Sequence, residues 1–525
     1  MRKHFLTILP LFCVCLLFAQ TNQVEIRPLP TWVYESTWSD SVAPPPEASG
    51  GFYYRLVDRQ THVPKQARFT RVVVEITHSD GIQTLSDISK DFDPAYQELV
   101  FHRVRIHRNG TVIDKLADHR FQLLQRESSM ERNLYDGALT AFMNLSDVRK
   151  GDVLEYAYTV EGQNPLFQGA YFQRFWFQYT FPVERLHTRL LADAGTRLYL
   201  KSSEQAPTPS KKQLGKLTEW RWDLHDLPYL LEEEQTPSWY DPFPRVDISS
   251  YDTWNQVVQW ALPMYRFQPN RLDQLAQKTS EEFSLGPDAP LPERIRQRIA
   301  FVQDDIRYLG FEGGIQGYQP SDPQAVLARR YGDCKDKSFL LASLLQDIGV
   351  EAYPMLVHSG AYQSLRERLP SPVAFDHCVV QYEWEGRNYF VDPTISGHGG
   401  NIVHRYFPDY GYGLILRPGE TELTALPQPS QGETRIEVVL KVDSMMRGSG
   451  KLSIKTTYIG KQADRLRDQF VQSSLAEVEK EYLNFYVDHY PGIRVDSPLV
   501  VLDLGHRDTN VFEVEEHYVV PEIWK

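Results

Sequence analysis

From Phe375 to Thr394 the chain reads FDHCVVQYEWEGRNYFVDPT. Two strand-forming runs flank Glu385-Gly386, a residue pair suited to a two-residue hairpin turn with Trp384 opposite Arg387. Side chains alternate faces along a strand, so the turn leaves one register, and a one-residue slip would reverse every side chain. Val379 then opposes Asp392. His377 lies two residues from Val379 and shares its face, so His377 and Asp392 become diagonal neighbours within side-chain reach. Cys378 has the opposite parity and is expected to pack away from them. A carboxylate so placed can fix an imidazole's tautomer and stabilise imidazolium, leaving the other ring nitrogen for a third group.

A third group stands upstream, in RRYGDCKDKSFLLASLL, Arg329 to Leu345. Asp333 has the character of a helix N-cap and Asp336 occupies the capping-box position. Phe339, Leu340, Ala342, Leu344 and Ile348 spread over a broad apolar face, and Gly349 ends the run. Cys334 therefore falls in the first helical turn, where free backbone N–H groups and the helix dipole favour a thiolate. Lys335 and Lys337 should add to that field; Asp333 and Asp336 oppose it unless capping engages them. Alone, such a cysteine is more simply a small buried residue at a helix entrance. The His377–Asp392 hairpin moves the reading to a poised nucleophile with amides ready to hold an oxyanion. Tyr308, in DIRYLG, and Gln316, in the glycine-rich GFEGGIQGYQPSDP, are candidates for a second oxyanion donor.

The chain has 4 cysteines, and Cys13 and Cys15 lie in an apolar N-terminal run. Arg2, Lys3 and His4, then Phe5 to Phe18, then Ala19-Gln20 have the order of a cleavable secretory signal, expected over residues 1–19. LPLFC lacks the small residues of a lipoprotein signal. Cleavage would remove Arg2 and Lys3 and no acid, taking the net charge from −13 to −15. Cys334 and Cys378 would remain, either as one disulfide or with Cys334 kept as a reactive thiol; the strand parity favours the second. No later run is apolar enough to span a bilayer, so an exported chain, periplasmic or secreted, is expected.

At 525 residues the chain exceeds one hydrophobic core. Its 29 Tyr and 26 Phe suit strand-rich structure. After a proline-rich linker or arm over 20–52, alternating runs such as ELVFHRVRIHRNGTVID and VRKGDVLEYAYTVEG indicate an antiparallel β-sandwich over 53–245, with Asn109-Gly110 as a hairpin turn. Ser202 to Gln213 reads as a polar loop tip. Helical patterns from Asp252, an expected N-cap, and through LPERIRQRIAFVQDD, followed by the cysteine helix and strands, indicate an α+β unit over 246–425. Residues 430–525 are β-rich around one helix, SLAEVEKEYLNFYVDHY, a pattern that leaves open whether the unit is complete. The fold class is thus multidomain α+β.

The acidic balance, with no basic stripe, argues against nucleic-acid binding. No HExxH, CxxC or dense acidic loop occurs, so no metal and no cofactor are expected; Asp93, Asp304 and Asp305 are scattered carboxylates. His358, His398 and His404 read as surface or loop histidines, and Trp176, Trp220 and Trp222 as sandwich core.

YGDCKDKS, FDHCVVQY and YFVDPT together resemble the bacterial pattern of the transglutaminase-like superfamily, papain-like enzymes with a Cys-His-Asp site. FDPAYQELVFHRVRIHRNGTVID and VRKGDVLEYAYTVEG resemble an uncharacterised β-rich domain that precedes such domains in exported bacterial proteins. The resemblance implies a papain-like central domain, catalytic Cys334, His377 and Asp392, and acyl transfer through a thioester on amide or peptide bonds of cell-envelope substrates. It leaves peptidase, amidase and transamidase open, as well as oligomeric state. The rival reading is a non-catalytic periplasmic or surface binding or assembly protein that works through its β-sandwich regions.

Overall fold

The long alternating runs of the N-terminal half pair into one nine-stranded sheet. The computed structural model describes residues 24–523 except 40–43, 45–49, 118–120, 127–129, 131–133, 136, 232, 267–276, 278–281, 312, 429–431, 444–447 and 506–509. The expected secretory signal lies outside the described residues. Asn109 and Gly110, with φ of 49° and 77°, join Glu98–Arg108 to Thr111–Asp114 through the expected tight turn. The sheet is mixed where an antiparallel one was expected. Val183–Asp193 runs parallel to Phe52–His62, and Glu25–Ile26 parallel to Glu98–Arg108. These partners are joined by long crossovers, which permit parallel pairing, whereas short turns enforce the antiparallel kind.

Two three-stranded sheets cover the large sheet's apolar face. Val72, Val74 and Phe101 pack with Ile88 and Met143 in one core, and Leu186, Leu190 and Trp222 with Phe175 and Ile248 in the other. Trp220 and Trp222 are core as expected, but Trp176, at a strand end, is 38% exposed. The expected loop tip ends in structure: its last residues, from Ser210 to Gln213, belong to an edge strand, Ser210–Leu214, on Leu217–Leu227.

The other face of the large sheet is polar and buried, with Asp58, Arg71, Glu155, His187 and Arg189. Residues 24–39, expected as linker or arm, lie along it. Arg71 donates to Ser36 O at 2.8 Å, Arg189 to Trp32 O at 2.6 Å and Gln60 to Tyr34 O at 2.6 Å. Buried guanidiniums carry more donors than the neighbouring carboxylates can take, and extended backbone supplies the missing carbonyls.

The central region has helices α1 (Trp254–Ala261), α2 (Leu291–Ala300), α3 (Pro323–Arg329) and α4 (Cys334–Asp347), then strands β1 (Ala352–Val357), β2 (His377–Trp384), β3 (Arg387–Val391) and β4 (Tyr412–Ile415). These strands and Thr424–Ala425 form an antiparallel sheet in the order β3-β2-β1-β4 with the short strand last. α4 lies on one face of it. Leu340, Leu341, Leu344 and Leu345 meet Ile295 and Ile299 of α2, Val326 of α3, and Val380 and Tyr382 of β2. α4 is buried on all sides, which explains its broad apolar face. Thr253, not Asp252, caps α1, in a box with Gln256; Asp252 instead accepts from Tyr199 Oη at 2.6 Å.

The C-terminal region is a four-stranded antiparallel sheet with two helices against it, Leu475–Val487 as expected and Lys461–Gln472, which the pattern reading missed. Among the described residues no helix is long and apolar enough to cross a membrane.

Candidate functional site

Asp333 caps α4 by accepting from Lys335 N at 2.9 Å and Asp336 N at 3.0 Å, which leaves the N–H of Cys334 outside the cap. Cys334 is the first residue of the helix. Asp336 returns the bond to Asp333 N, takes Ser321 N at 2.6 Å and pairs with Arg329. That carboxylate packs directly under Gly332, where an added Cβ would stand 2.6 Å from Asp336 Cβ. The glycine before the aspartate and cysteine is thus a requirement of close approach.

One lysine acts as the charge pattern suggested and the other does not. Lys335 Nζ pairs with Asp333 at 2.7 Å, and although burial opposes its charge, Cys334 and Asp333 hold its ammonium above its ordinary value. Lys337 is buried and donates to the carbonyls of Gln303 and Ile306, at the end of the π-helical turn Phe301–Asp305. Burial pushes its ammonium down to about 8, with Asp392 and Asp304 pulling the other way.

The β2–β3 register is the one the turn dictates. Trp384 pairs with Arg387, and Val380 with Val391, the pair next to Val379 and Asp392. Glu385 and Gly386 both have positive φ, 50° and 71°, as a two-residue turn of this kind requires. His377 Nε2 lies 2.9 Å from Asp392 Oδ2. Cys334 and the same ring line one cavity, and the sulfur adds to the ring's hold on a proton. With Nε2 engaged by the carboxylate, Nδ1 is the nitrogen left for sulfur. Burial lowers the affinity of His377 for a proton, but Asp392 and the Cys334 sulfur outweigh it and hold the imidazole well above its ordinary value.

Asp392 is buried and fully engaged. Oδ2 also accepts from Tyr410 Oη at 2.6 Å, and Oδ1 accepts from Thr394 N at 2.8 Å and Thr394 Oγ1 at 2.7 Å. Burial raises the carboxyl, yet His377 and these donors bring it well below the carboxylate range. Gln303 fixes the backbone of the same residue through a 2.8 Å bond to Asp392 O. Thr394 was visible in VDPT as a side chain two residues on, able to close a local turn. Tyr410 and Gln303 carried no local signal.

Cys378 did not behave as expected. Its parity is opposite to Val379, but that face is the one α4 covers. Cys378 is buried in one cluster with Cys334, Phe339 and Tyr265, and Ser338 Oγ donates to its carbonyl at 2.9 Å. Both cysteines are free. Burial, with Cys334 nearby, raises the Cys378 thiol far above its ordinary value, which marks it as inert.

A cavity of about 70 Å³ opens over the sulfur, lined by Cys334, His377, Cys378, Trp260, Tyr265 and Tyr318 among others. Tyr308 packs against this cluster, on a short strand paired with Gly332. Gln316 is exposed and its neighbours Gly317 and Tyr318 line the cavity instead, so its side chain is not placed as an oxyanion donor. His404 is exposed and His358 half-buried beside Asp376. His398 corrects the surface reading: its side chain is buried 4.0 Å from Asp464, and burial pushes it down to about 4. Among the described residues no group of three His, Cys, Asp or Glu is arranged to hold a metal.

Residues 64–230 match a family model described as a domain of unknown function with a solved structure, DUF3857. No curated protein matches the chain. Among solved structures, a putative protease from Parabacteroides distasonis is similar over 90% of this chain and 94% of that one, at 13% identity and a TM-score of 0.56. At that identity the likeness is one of fold.

Proposed function

We propose that this chain is a cysteine acyl-transfer enzyme of the transglutaminase-like superfamily, exported and acting on amide or peptide bonds of cell-envelope proteins or peptides. The observation that carries the reading is that Cys334 and His377, from separate segments, line one cavity, and that Asp392, from a third, lies 2.9 Å from the His377 ring. The protease name of the similarly folded bacterial protein fits the same chemistry.

In this reading the Cys334 thiol gives its proton to His377 Nδ1, and the sulfur attacks the carbonyl carbon of an amide. Asp392 holds the ring by Nε2 and stabilises the imidazolium. The N–H of Cys334, left outside the cap, faces the developing oxyanion with the positive end of α4 behind it. Collapse breaks the C–N bond, the imidazolium proton passes to the departing amine, and a thioester remains. Water or a second amine, deprotonated by His377, then attacks the thioester and releases the sulfur.

The test is alkylation of the full chain with iodoacetamide across pH, mapped by mass spectrometry. Cys334 should react at least about tenfold faster near neutral pH than an ordinary exposed thiol. Reaction no faster than that of a free thiol would refute the reading. The inert, buried Cys378 serves as the internal control.

A further inference from the structure

We propose that the cavity between the large N-terminal sheet and the glycine-rich loop is a substrate subsite of the Cys334 centre, and that it takes a peptide carrying a carboxylate side chain near the reacting amide. The proposal rests on the acyl-transfer reading and deepens it.

The cavity adjoins the space over Cys334. A cavity of about 340 Å³, within the range of ligand sites, lies between the Thr61–Arg68 corner, the Gly162–Phe172 connection and the central region. Tyr318 lines both this cavity and the one over Cys334. The consecutive residues Pro372 and Val373 line one each. One aromatic side chain therefore divides the two spaces. It is held edge-on by Phe167 at 5.2 Å and Trp260 at 5.6 Å.

The N-terminal region builds this wall. Gly314 N donates to Asp93 Oδ2 at 2.6 Å, and Asn164 Nδ2 donates to Gly314 O at 3.0 Å. Gly314 has φ of +63°, so a side chain there would strain the loop. Trp260 Nε1 donates to Leu166 O at 2.8 Å, and Gly310–Phe311 pairs with Leu134–Tyr135. Asp93, a scattered carboxylate in the sequence, is thus an anchor for the loop that precedes the catalytic helix. The N-terminal region is part of the cleft wall.

The charge of the lining favours an anion. No carboxylate lines the larger cavity. Of its two arginines, Arg174 is already paired with Asp247 and Asp241. Arg68 is exposed at the rim, and its guanidinium enters no ion pair among the described residues. A free guanidinium in a chain of net charge −13, set among the side-chain amides of Gln66, Gln97 and Gln173, is complementary to a carboxylate on an otherwise polar peptide.

The experiment uses tripeptidyl acyloxymethyl ketones with Glu or Gln placed in turn at each position, and reads the rate of Cys334 modification on the full chain. At one position the Glu probe should react about tenfold faster than its Gln twin. Arg68→Gln should bring that ratio to within about twofold while leaving the iodoacetamide rate unchanged. No preference at any position, a preference for the neutral probe, or a preference that survives Arg68→Gln would each overturn the subsite. Binding of the matching Glu and Gln peptides to Cys334→Ala, read by calorimetry, judges it even if the sulfur proves unreactive. A Glu preference there supports the subsite, and equal binding overturns it.

Discussion

Among the described residues, two buried histidine–aspartate pairs sit at hydrogen-bond distance and are of nearly equal length. His377 meets Asp392 at 2.9 Å, and His187 meets Asp58 at 2.8 Å on the polar face of the large sheet. Both aspartates have further donors, Tyr410 and Thr394 in one case and Gln60 in the other. The difference lies on the far side of each ring. Beyond His377 are a sulfur at a helix start and a cavity. Beyond His187 the ring of Tyr34 packs at 5.4 Å, and Nε2 is buried without a hydrogen-bond partner. A dyad is therefore chemistry only where its second nitrogen has something to deprotonate and space for a substrate. The same two residues, sealed in, are structure.

The largest effects should separate the two pairs most sharply. His377→Ala is expected to slow alkylation of Cys334 at neutral pH by about 100-fold, the low end of what a positioned base contributes. His187→Ala should leave that rate within about twofold. It should instead cost about 3 kcal/mol of stability in chemical denaturation, because Asp58 loses a buried partner. Equal effects of the two substitutions on the alkylation rate would erase the distinction.

The part of this comparison that could be read in advance depended on local geometry. A two-residue turn and strict alternation place His377 beside Asp392, and a cap motif places Cys334 at the first helical position. Both are rules within a few residues of chain. What could not be read depends on partners far away. Parity put Cys378 on one face of β2 but could not say that α4 covers that face. Tyr410 and Gln303 reach Asp392 from other segments. The stretch 24–39 has the composition of a linker, and only the arginines across the sheet make it a cover. The parallel strand Val183–Asp193 arrives by a crossover that has no turn signal.

The helix start offers a test of intermediate size. Gly332→Ala would set a methyl carbon 2.6 Å from Asp336 Cβ, closer than real contacts allow. Asp336 must shift, and with it the cap that positions Cys334. A loss of about 2 kcal/mol is expected, with a slower alkylation rate. Among the described residues no glycine is seen packed against Asp58 or His187, so the same readouts there should be insensitive to local glycine substitution. A Gly332→Ala variant with parent-like stability and rate would show that the close approach is not needed.

The pH dependence sharpens the comparison further. His377 is held above its ordinary 6.5, so its contribution to stability is full below that pH and fades as pH rises through the raised folded-state value. Asp392 is held below its ordinary 3.8, so its contribution is full above that pH and fades as pH falls toward the lowered value. Thermal unfolding of the parent and of His377→Ala should therefore differ most between about pH 4 and 6.5 and converge in alkali. A gap between the curves that widens with rising pH would contradict the raised imidazole.

The smallest expected effect belongs to Tyr410→Phe. The change removes one donor from Asp392 Oδ2, yet Thr394 and His377 remain on the carboxylate and the ring can still pack 5.7 Å from the imidazole. About 1 kcal/mol of stability and a few-fold slower alkylation of Cys334 are expected. The informative quantity is the pH at which alkylation reaches half its maximum. A tyrosine that merely fills space would leave it unmoved. With one hydrogen bond fewer, Asp392 holds its charge less strongly, His377 loses some of its hold on a proton, and that midpoint should shift. If it stays put while stability falls, Tyr410 belongs with the sealed pair's neighbours rather than with the site.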